Sequence, residues 1–213
     1  MENIIIALSL VVALIGMVRF KKLARPFKIL VFWQLIDFLI GCCNQLCIQI
    51  YKNNALLTHV QTIAEYISYA VIYYYLIKSK RIKIFILGSI AVIFVFFIIN
   101  GCFLQPFTKT FPTNVIMPAE IIYVIFSILL FKQMLQYPVQ VNIMKQSVFW
   151  FNTAMLFFST TMFLNLGLMN YYGLHHKSMA VILSFWYSID VIFSVLLILA
   201  ILNDNKEEVG RNG

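Results

Sequence analysis

The chain has 213 residues, of which 62% are hydrophobic and 11% are charged. Soluble globular proteins contain about 45–50% apolar and about 25% charged residues, so this composition excludes an ordinary soluble domain. The net charge of +8 arises from basic residues in short turns between apolar stretches, and not from a basic folded face with interleaved aromatics, so a nucleic-acid partner is not expected.

Seven apolar stretches are about as long as a membrane crossing, which takes about 20 residues of helix. Continuous apolar runs favour helices over the alternating strands of a membrane barrel. The sequence therefore predicts an all-α fold, a polytopic bundle of seven transmembrane helices at 3–18, 29–50, 55–77, 84–104, 114–135, 147–170 and 179–202. Residues 1–203 are predicted to form this single transmembrane domain, and residues 204–213 a short polar cytoplasmic tail.

The first stretch is expected to stay as a helix rather than be cleaved as a signal peptide, because residues 1–3 carry no basic residue. Thirteen of the sixteen basic residues follow helices one, three and five or lie in the tail, whereas Lys52, Lys109 and Lys177 lie in the other loops. Cytoplasmic loops carry the excess of Lys and Arg. We therefore expect an outside amino terminus, a cytoplasmic tail, and a multi-pass protein in the bilayer of a bacterial-type cytoplasmic (inner) membrane.

Helices two and three each carry a polar stripe at helical spacing. The stripe of helix two consists of Gln34, Asp37, Gly41, Asn44 or Gln45, and Gln49, and that of helix three consists of Thr58, Gln61, Glu65, Ser68 and Ile72. Tyr66, Tyr69 and Tyr73 lie beside the second stripe, where a phenol can donate to a carboxylate. Trp33 is expected at the cytoplasmic interface. Both stripes should face other helices.

The later helices differ in polarity. Helix four has no ionisable residue between Ile84 and Ile99 and is expected to face lipid. Helix five repeats part of helix three, since Ala64-Glu65-Tyr66-Ile67 resembles Ala119-Glu120-Ile121-Ile122, which predicts a similar depth for both glutamates. Pro118 is expected to bend helix five beside Glu120. The polar residues of the last two helices are Asn152, Thr153, Ser159, Thr160, Thr161, Asn165, Tyr187, Asp190 and Ser194.

Four acidic residues, Asp37, Glu65, Glu120 and Asp190, lie in the middle of apolar segments without a Lys or Arg. A carboxylate in hydrocarbon costs roughly 2.5–3.5 kcal/mol even on insertion scales, so such residues usually face a bundle interior. They are therefore neutral, hydrogen-bonded, or paired with a cation. We predict a polar interior site that binds a ligand or protons through these four acids, with Tyr69 and Asn44 as hydrogen-bond partners.

Three functions remain open beside a structural role of the acids as hydrogen-bonding groups between helices. The favoured one is a non-enzymatic binding or sensing bundle for a small ligand or cation, which signals through a separate cytoplasmic protein. The alternative is a proton- or cation-coupled small-molecule carrier, although no repeat of half the chain is apparent. An intramembrane metal-dependent hydrolase is least favoured, because His59, His175 and His176 lack the spacing of zinc ligands. No catalytic residue, bound metal or cofactor is predicted.

The topology resembles that of rhodopsins, but residues 178–202 contain no lysine for a retinal Schiff base. The run Thr62-Ile63-Ala64-Glu65-Tyr66, the pair Ala119-Glu120 and the pair Phe149-Trp150 resemble small bacterial seven-helix integral membrane proteins to which no activity is assigned. This resemblance covers nearly the whole chain. It implies an inner-membrane protein that feeds a separate signalling partner.

Overall fold

The computed structural model of the chain describes residues 2–137, 142–175 and 180–204. The described residues contain helices and no strand, which confirms the predicted all-α fold with seven helices. Their bounds are α1 Glu2–Arg19, α2 Arg25–Tyr51, α3 Ala55–Leu76, α4 Lys80–Ile99, α5 Thr113–Gln136, α6 Ser147–Leu174 and α7 Ala180–Asn203. The first residue of the seventh predicted helix (Met179) and residues 205–213 of the predicted tail lie outside the described residues, as do His176 and Lys177.

Five helices are long and apolar enough to cross a membrane, namely α2, α4 with the following turn, α5, α6 and α7. The chain is therefore a helical protein with the composition of a multi-pass membrane protein. Of the other two, α1 has 18 residues and α3 has 22. Helix α3 is less apolar because it includes Gln61, Glu65 and five tyrosines.

Local chemistry explains several helix boundaries. Helix α2 begins four residues before its predicted start, because Pro26 is tolerated in the first turn of a helix. A π-helical turn, Asn100–Leu104, follows α4. A Cβ on Gly101 would lie 2.0 Å from Cζ of Phe107, so a larger residue in this turn would displace the Phe107 ring. Helix α5 runs as one helix across Pro118.

Six of the helices form a closed ring. Helix α1 packs against α2 and α7, α2 against α3, α3 against α5, α5 against α6, and α6 against α7. Helix α4 packs outside this ring against α3 and α5. Its Ile84 is 70% exposed and its Val92 is 67% exposed, as expected for a helix without an ionisable residue between Ile84 and Ile99. The centre of the ring is therefore lined by the inward faces of six helices.

We call the end of the bundle with the turns 20–24 and 77–79 the basic end, because most basic residues lie there. An aromatic layer fills the ring near this end. Tyr73 packs against Phe126 and Phe151 with ring centroids 5.4 and 5.5 Å apart, and Phe151 meets Phe27 edge to face at 6.2 Å. All four side chains are less than 2% exposed. Dense aromatic packing of this kind leaves little room for water.

Asp204 joins four helices at the basic end. It is the first residue of the segment predicted to be a tail, yet it is 1% exposed. Its Oδ2 accepts the backbone N–H of Ala24 at 2.6 Å, just before α2, and its Oδ1 accepts the Ser147 hydroxyl at the start of α6 at 3.1 Å. Arg19 of α1 donates to its backbone carbonyl at 3.2 Å. The end of α7 is thereby tied to α1, α2 and α6.

Candidate functional site

A cavity of about 240 Å³ lies at the centre of the ring. All six ring helices contribute to its wall, and none of the described lining residues comes from α4. Asp37, Glu65, Glu120 and Asp190 all line it, although they come from α2, α3, α5 and α7. The other polar lining residues are Ser9, Gln34, Thr58, Gln61, Thr62 and Ser194. The described lining includes no Lys, Arg or His.

The stripe of α3 supplies much of the wall. Thr58, Gln61 and Glu65 of the predicted stripe line the cavity, and so do Thr62 and Tyr69, which lie beside them on the same side of the helix. Ser68 and Ile72, also predicted in the stripe, do not line it. The two stripes of α2 and α3 meet here, which buries polar groups against one another instead of against lipid.

Asp37 is held by hydrogen bonds from two other helices. The Ser9 hydroxyl of α1 donates to its Oδ2 at 2.8 Å, and Nε2 of Gln61 in α3 donates to its Oδ1 at 2.8 Å. Asn44 donates from Nδ2 to Oε1 of Gln61 at 3.0 Å. Asn44, predicted as a partner of the carboxyls, therefore acts on Asp37 through Gln61 and does not itself line the cavity.

Glu65 differs from Asp37, because within the described part of the chain it makes no hydrogen bond. It is half-buried, and Glu120, Asp37 and Asp190 lie within electrostatic reach of it. Four negative charges in one small apolar space would repel one another strongly. Full ionisation of the cavity therefore requires a compensating cation.

Two polar atoms of α5 lack a partner inside the cavity wall. Glu120 is 4% exposed, and its Oε2 has no hydrogen-bond partner in the described structure. The hydroxyl of Tyr123, one turn further along, is buried and equally unpartnered, and Tyr123 is 2% exposed. A buried polar atom without a partner costs about 1–3 kcal/mol. Both atoms are therefore suited to receive a polar occupant of the cavity.

The remaining predicted residues lie close by. Asp190 of α7 lines the cavity beside Trp186, which precedes it by one helical turn. Tyr69 lines the cavity too, but its hydroxyl accepts from Nε2 of Gln34 at 3.3 Å and pairs with no carboxyl. Five of the six predicted site residues thus share one cavity, and Asn44 lies one hydrogen bond behind it.

Several lining residues were not predicted. Trp33, expected at the membrane interface, is 3% exposed and lines the cavity. Ser9 is the single polar residue in the middle of α1, a signal that could have indicated an interior contact. Tyr123 lies three residues after Glu120, which places both on one helical face. This spacing was the signal that could have found it.

The cavity is bounded differently at its two ends. Towards the basic end its lining includes Tyr69, whose ring packs against Phe151 of the aromatic layer with centroids 6.4 Å apart. In the other direction the lining reaches Thr58, near the start of α3, and Phe111, in the connection before α5. The geometry is that of a pocket rather than of a continuous path across the bundle.

The two histidines that the structure describes, His59 and His175, take no part in this cavity. His59 is fully buried, its Nε2 bonds the Thr110 carbonyl at 3.0 Å, and its ring packs against Phe107. His175 packs against Tyr171 with ring centroids 4.4 Å apart. Within the described residues no group of three or more His, Cys, Asp or Glu could hold a metal ion.

Comparison of the chain with protein-family models, curated proteins and solved structures finds no significant match. The chemistry of the cavity is therefore the basis on which a function can be assigned. Carboxyls, phenols and amides in an apolar enclosure can bind a proton, a cation or a hydrogen-bond donor.

Proposed function

We propose that the protein is a non-enzymatic binding or sensing bundle, which takes up a small ligand in its central cavity and signals through a separate cytoplasmic protein. The observation that carries this proposal is the convergence of carboxyls from four helices on one cavity whose described lining contains no basic residue. Acids inside a membrane bundle that lack a basic partner characterise ligand, ion or proton sites.

The same proposal includes seven membrane spans in a bacterial-type inner membrane, with the amino terminus outside. The 18 residues of α1 and the 22 residues of α3 fit the roughly 17–25 residues of a span. Thr58, Gln61, Thr62 and Glu65 of α3 line the cavity, so this helix need not present them to lipid. The excess of basic residues at the basic end supports a cytoplasmic location of that end.

Signalling fits the way in which the cavity connects to the basic end. An occupant would contact residues of several ring helices at once, and a ligand shifts the arrangement that it binds better. Helix α7 carries Asp190 in the cavity and leads directly to Asp204, which joins α1, α2 and α6. The basic turns around Asp204 are the surface on which a cytoplasmic partner would sense a movement of α7.

Access to the cavity can be tested with a cysteine at Ser194, which lines it and is 9% exposed. In a background with alanine at the four native cysteines, Ser194→Cys should react with small methanethiosulfonates. A positively charged reagent should react faster than a negatively charged one, because the wall is acidic. Ser127→Cys is the matched control, since Ser127 is fully buried outside the cavity and should not react.

Two outcomes would contradict the proposal. A Ser194→Cys protein that reacts no faster than Ser127→Cys would mean that small molecules do not enter the cavity. Equal rates for the two reagents, unchanged by Glu65→Gln and Glu120→Gln together, would mean that the carboxyls do not select the charge of an occupant. Reaction rates would be followed by mass spectrometry of the purified protein.

A proton- or cation-coupled carrier is the second candidate. It is favoured by Glu65, which makes no hydrogen bond to a described residue, and by the unpartnered Oε2 of Glu120. Such groups can exchange protons with an occupant. In proteoliposomes a carrier should show proton- or cation-driven uptake that Glu65→Gln abolishes, whereas a sensor should show ligand binding without flux. The aromatic layer beneath the cavity favours the sensor.

A further inference from the structure

The cavity wall combines acids with an aromatic surface. Tyr69 meets Trp33, Tyr123 and Phe193 edge to face, with ring centroids 6.4, 5.9 and 6.2 Å apart. Phe193 continues to Phe158 at 4.5 Å. These rings come from α2, α3, α5, α6 and α7, so the aromatic surface spans most of the ring. An occupant that contacts the carboxyls therefore also contacts π-systems.

This combination favours one class of occupant. Aromatic faces attract cations through their quadrupole, and the attraction is strongest for a cation that is stripped of water. Hard metal ions instead favour a shell of oxygen ligands and retain water. An organic ammonium ion carries a charge for the carboxyls and an apolar body for the rings, so both parts of the wall interact with it.

The two polar atoms of α5 that lack a hydrogen-bond partner further restrict the class of ligand. Oε2 of Glu120 can accept a hydrogen bond, and the Tyr123 hydroxyl beside it can accept or donate one. Tyr123 is not an acid, yet it is 98% buried in the cavity wall without a partner, which independently indicates a polar occupant. An ammonium group with N–H donors satisfies both atoms, whereas a quaternary ammonium group cannot donate to either. An occupant that donates to both atoms carries at least two N–H groups, as a protonated primary or secondary amine does.

The volume of the cavity sets an upper limit on the size of the ligand. Pockets for drug-sized ligands measure roughly 300–1,000 Å³, whereas this cavity measures about 240 Å³. A small amine with one short apolar or aromatic substituent is consistent with this volume.

We propose that the cavity binds a small protonated primary or secondary amine with an apolar body, whose N–H groups contact Glu120 and Tyr123 while its body packs against Tyr69 and Phe193. This inference rests on the proposed binding function and specifies its ligand class. The acids Glu65, Asp37 and Asp190 supply the negative field that favours the cation over a neutral molecule of the same shape.

The test uses 2-phenylethylamine as the probe, with 2-phenylethanol as a neutral analogue of the same shape and 2-phenylethyl-trimethylammonium as a cation without an N–H donor. Binding to the full-length protein in detergent at near-neutral pH would be measured by the saturable rise of its Tm and by calorimetric titration. The amine should bind, the alcohol should bind at least about tenfold more weakly, and the trimethylammonium ion should be intermediate.

The variants localise the binding. Glu120→Gln should raise the Kd of the amine about tenfold or more, because it removes a charge-assisted hydrogen bond. Tyr123→Phe keeps every charge and removes one hydroxyl, so it should raise the Kd less. Tyr123→Phe also tests the site if the Glu120→Gln protein does not fold. A matched control is Tyr73→Phe, which removes a buried hydroxyl of the aromatic layer outside the cavity and should leave the Kd unchanged.

Three results would overturn the inference. One is equal binding of the amine and the alcohol, and another is amine binding that survives Glu120→Gln and Tyr123→Phe. The third is the absence of amine binding in a protein whose Ser194→Cys variant reacts with small reagents. In that last case the cavity remains a binding site and only the ligand class is rejected, whereas an unreactive Ser194→Cys protein contradicts the proposed function itself.

Discussion

The interior carboxyls differ in how many hydrogen bonds they accept, and this difference determines whether a carboxyl oxygen is available for a ligand. Asp37 accepts hydrogen bonds from Ser9 and Gln61, both at 2.8 Å. In contrast, Oε2 of Glu120 is buried without a partner. A satisfied carboxyl contributes to helix association, whereas an unsatisfied one has an acceptor available for a ligand. Asp37 is therefore the structural member of the set, and Glu120 is the member most available for binding.

Asp204 is a buried acid outside the helices that form the cavity wall. Burial raises the pKa of Asp204 above its ordinary value of 3.8, although the hydrogen bonds from Ala24 and Ser147 and the charge of Arg19 act in the opposite direction. The folded protein thus binds this proton more tightly than the unfolded chain does. The contribution of Asp204 to stability is largest at low pH and is lost as the pH rises from about 4 through its folded pKa.

Asp204→Asn should therefore remove a pH-dependent contribution to the stability of the fold. We expect the Tm difference between the wild type and Asp204→Asn to shift against the wild type as the pH is raised from about 4 to about 8. Thermal unfolding in detergent would measure it, and comparing the two proteins subtracts the titration of the cavity acids. Ser147→Ala, which weakens the contact but keeps the acid, should retain the pH dependence. A Tm difference that stays constant with pH would contradict this expectation.

At the scale of elements, close helix contacts depend on small residues. A Cβ on Gly16 of α1 would lie 2.1 Å from Cγ2 of Val31 in α2, and a Cβ on Gly41 of α2 would lie 2.9 Å from Cγ1 of Ile6 in α1. The two glycines lie on facing helices, one nearer each end of the α1–α2 contact. Membrane helices associate through such close backbone approach, because lipid offers no hydrophobic driving force between them.

Gly16→Ala should destabilise the protein by about 1–3 kcal/mol, because valine is branched at Cβ and cannot swing away from the new methyl group. Gly88→Ala in α4 is the matched control, since no atom beyond its own stretch of helix lies within 4 Å of the added Cβ. It should be neutral or slightly stabilising. Both would be measured by chemical or thermal unfolding in detergent.

A double variant identifies the contact responsible. Val31→Ala alone should destabilise by leaving a cavity, but in the Gly16→Ala background it should cost less, because it also removes the clash with the new methyl group. The two changes should therefore be strongly non-additive. Additive effects, or a Gly16→Ala protein as stable as Gly88→Ala, would show that α1 and α2 do not pack at this glycine.

At the scale of the whole molecule, the six ring helices and the outer helix α4 have different roles. The six ring helices enclose the polar cavity, and α4 covers α3 and α5 from outside with an apolar surface. The ring brings together α1 and α7, which are far apart in the sequence. A membrane favours this arrangement, because the four carboxyls and the polar side chains around them then face the cavity and not lipid.

The proposed seven-span topology predicts which loops share a side of the membrane. In a cysteine-free background, Lys52→Cys and Lys109→Cys should react with an impermeant maleimide added to intact cells. Ser79→Cys should react only after the cells are permeabilised. All three positions are exposed. Residues 52 and 79 lie on either side of α3, so equal labelling of these two would mean that α3 does not cross the membrane.

Much of the fold could be predicted from the sequence because its causes are local. Apolar runs of membrane length predicted seven helices, and most of their ends agree with the structure within a few residues. The interior position of Asp37, Glu65, Glu120 and Asp190 could be predicted as well, since the cost of a carboxyl in hydrocarbon depends on its place within one segment. The orientation and the number of membrane spans stay predictions.

The partners of these residues could not be predicted, because they depend on the order and rotation of helices around the ring. Asn44 could have faced any carboxyl, but the packing of α2 on α3 pairs it with Gln61. Tryptophan is common at membrane interfaces, so Trp33 was expected there. It lines the cavity only because of the positions of its neighbouring helices.

The sequence by itself thus determined an all-helical chain with seven helices and four interior acids, since these follow from the hydropathy and spacing of residues within single segments. Only the tertiary structure decided that the four acids meet in one cavity, that Tyr123 lies unpartnered beside Glu120, and that α4 stays outside the ring. Those features depend on contacts between distant segments. Side-chain packing between helices selects one such arrangement among many that the same apolar pattern allows.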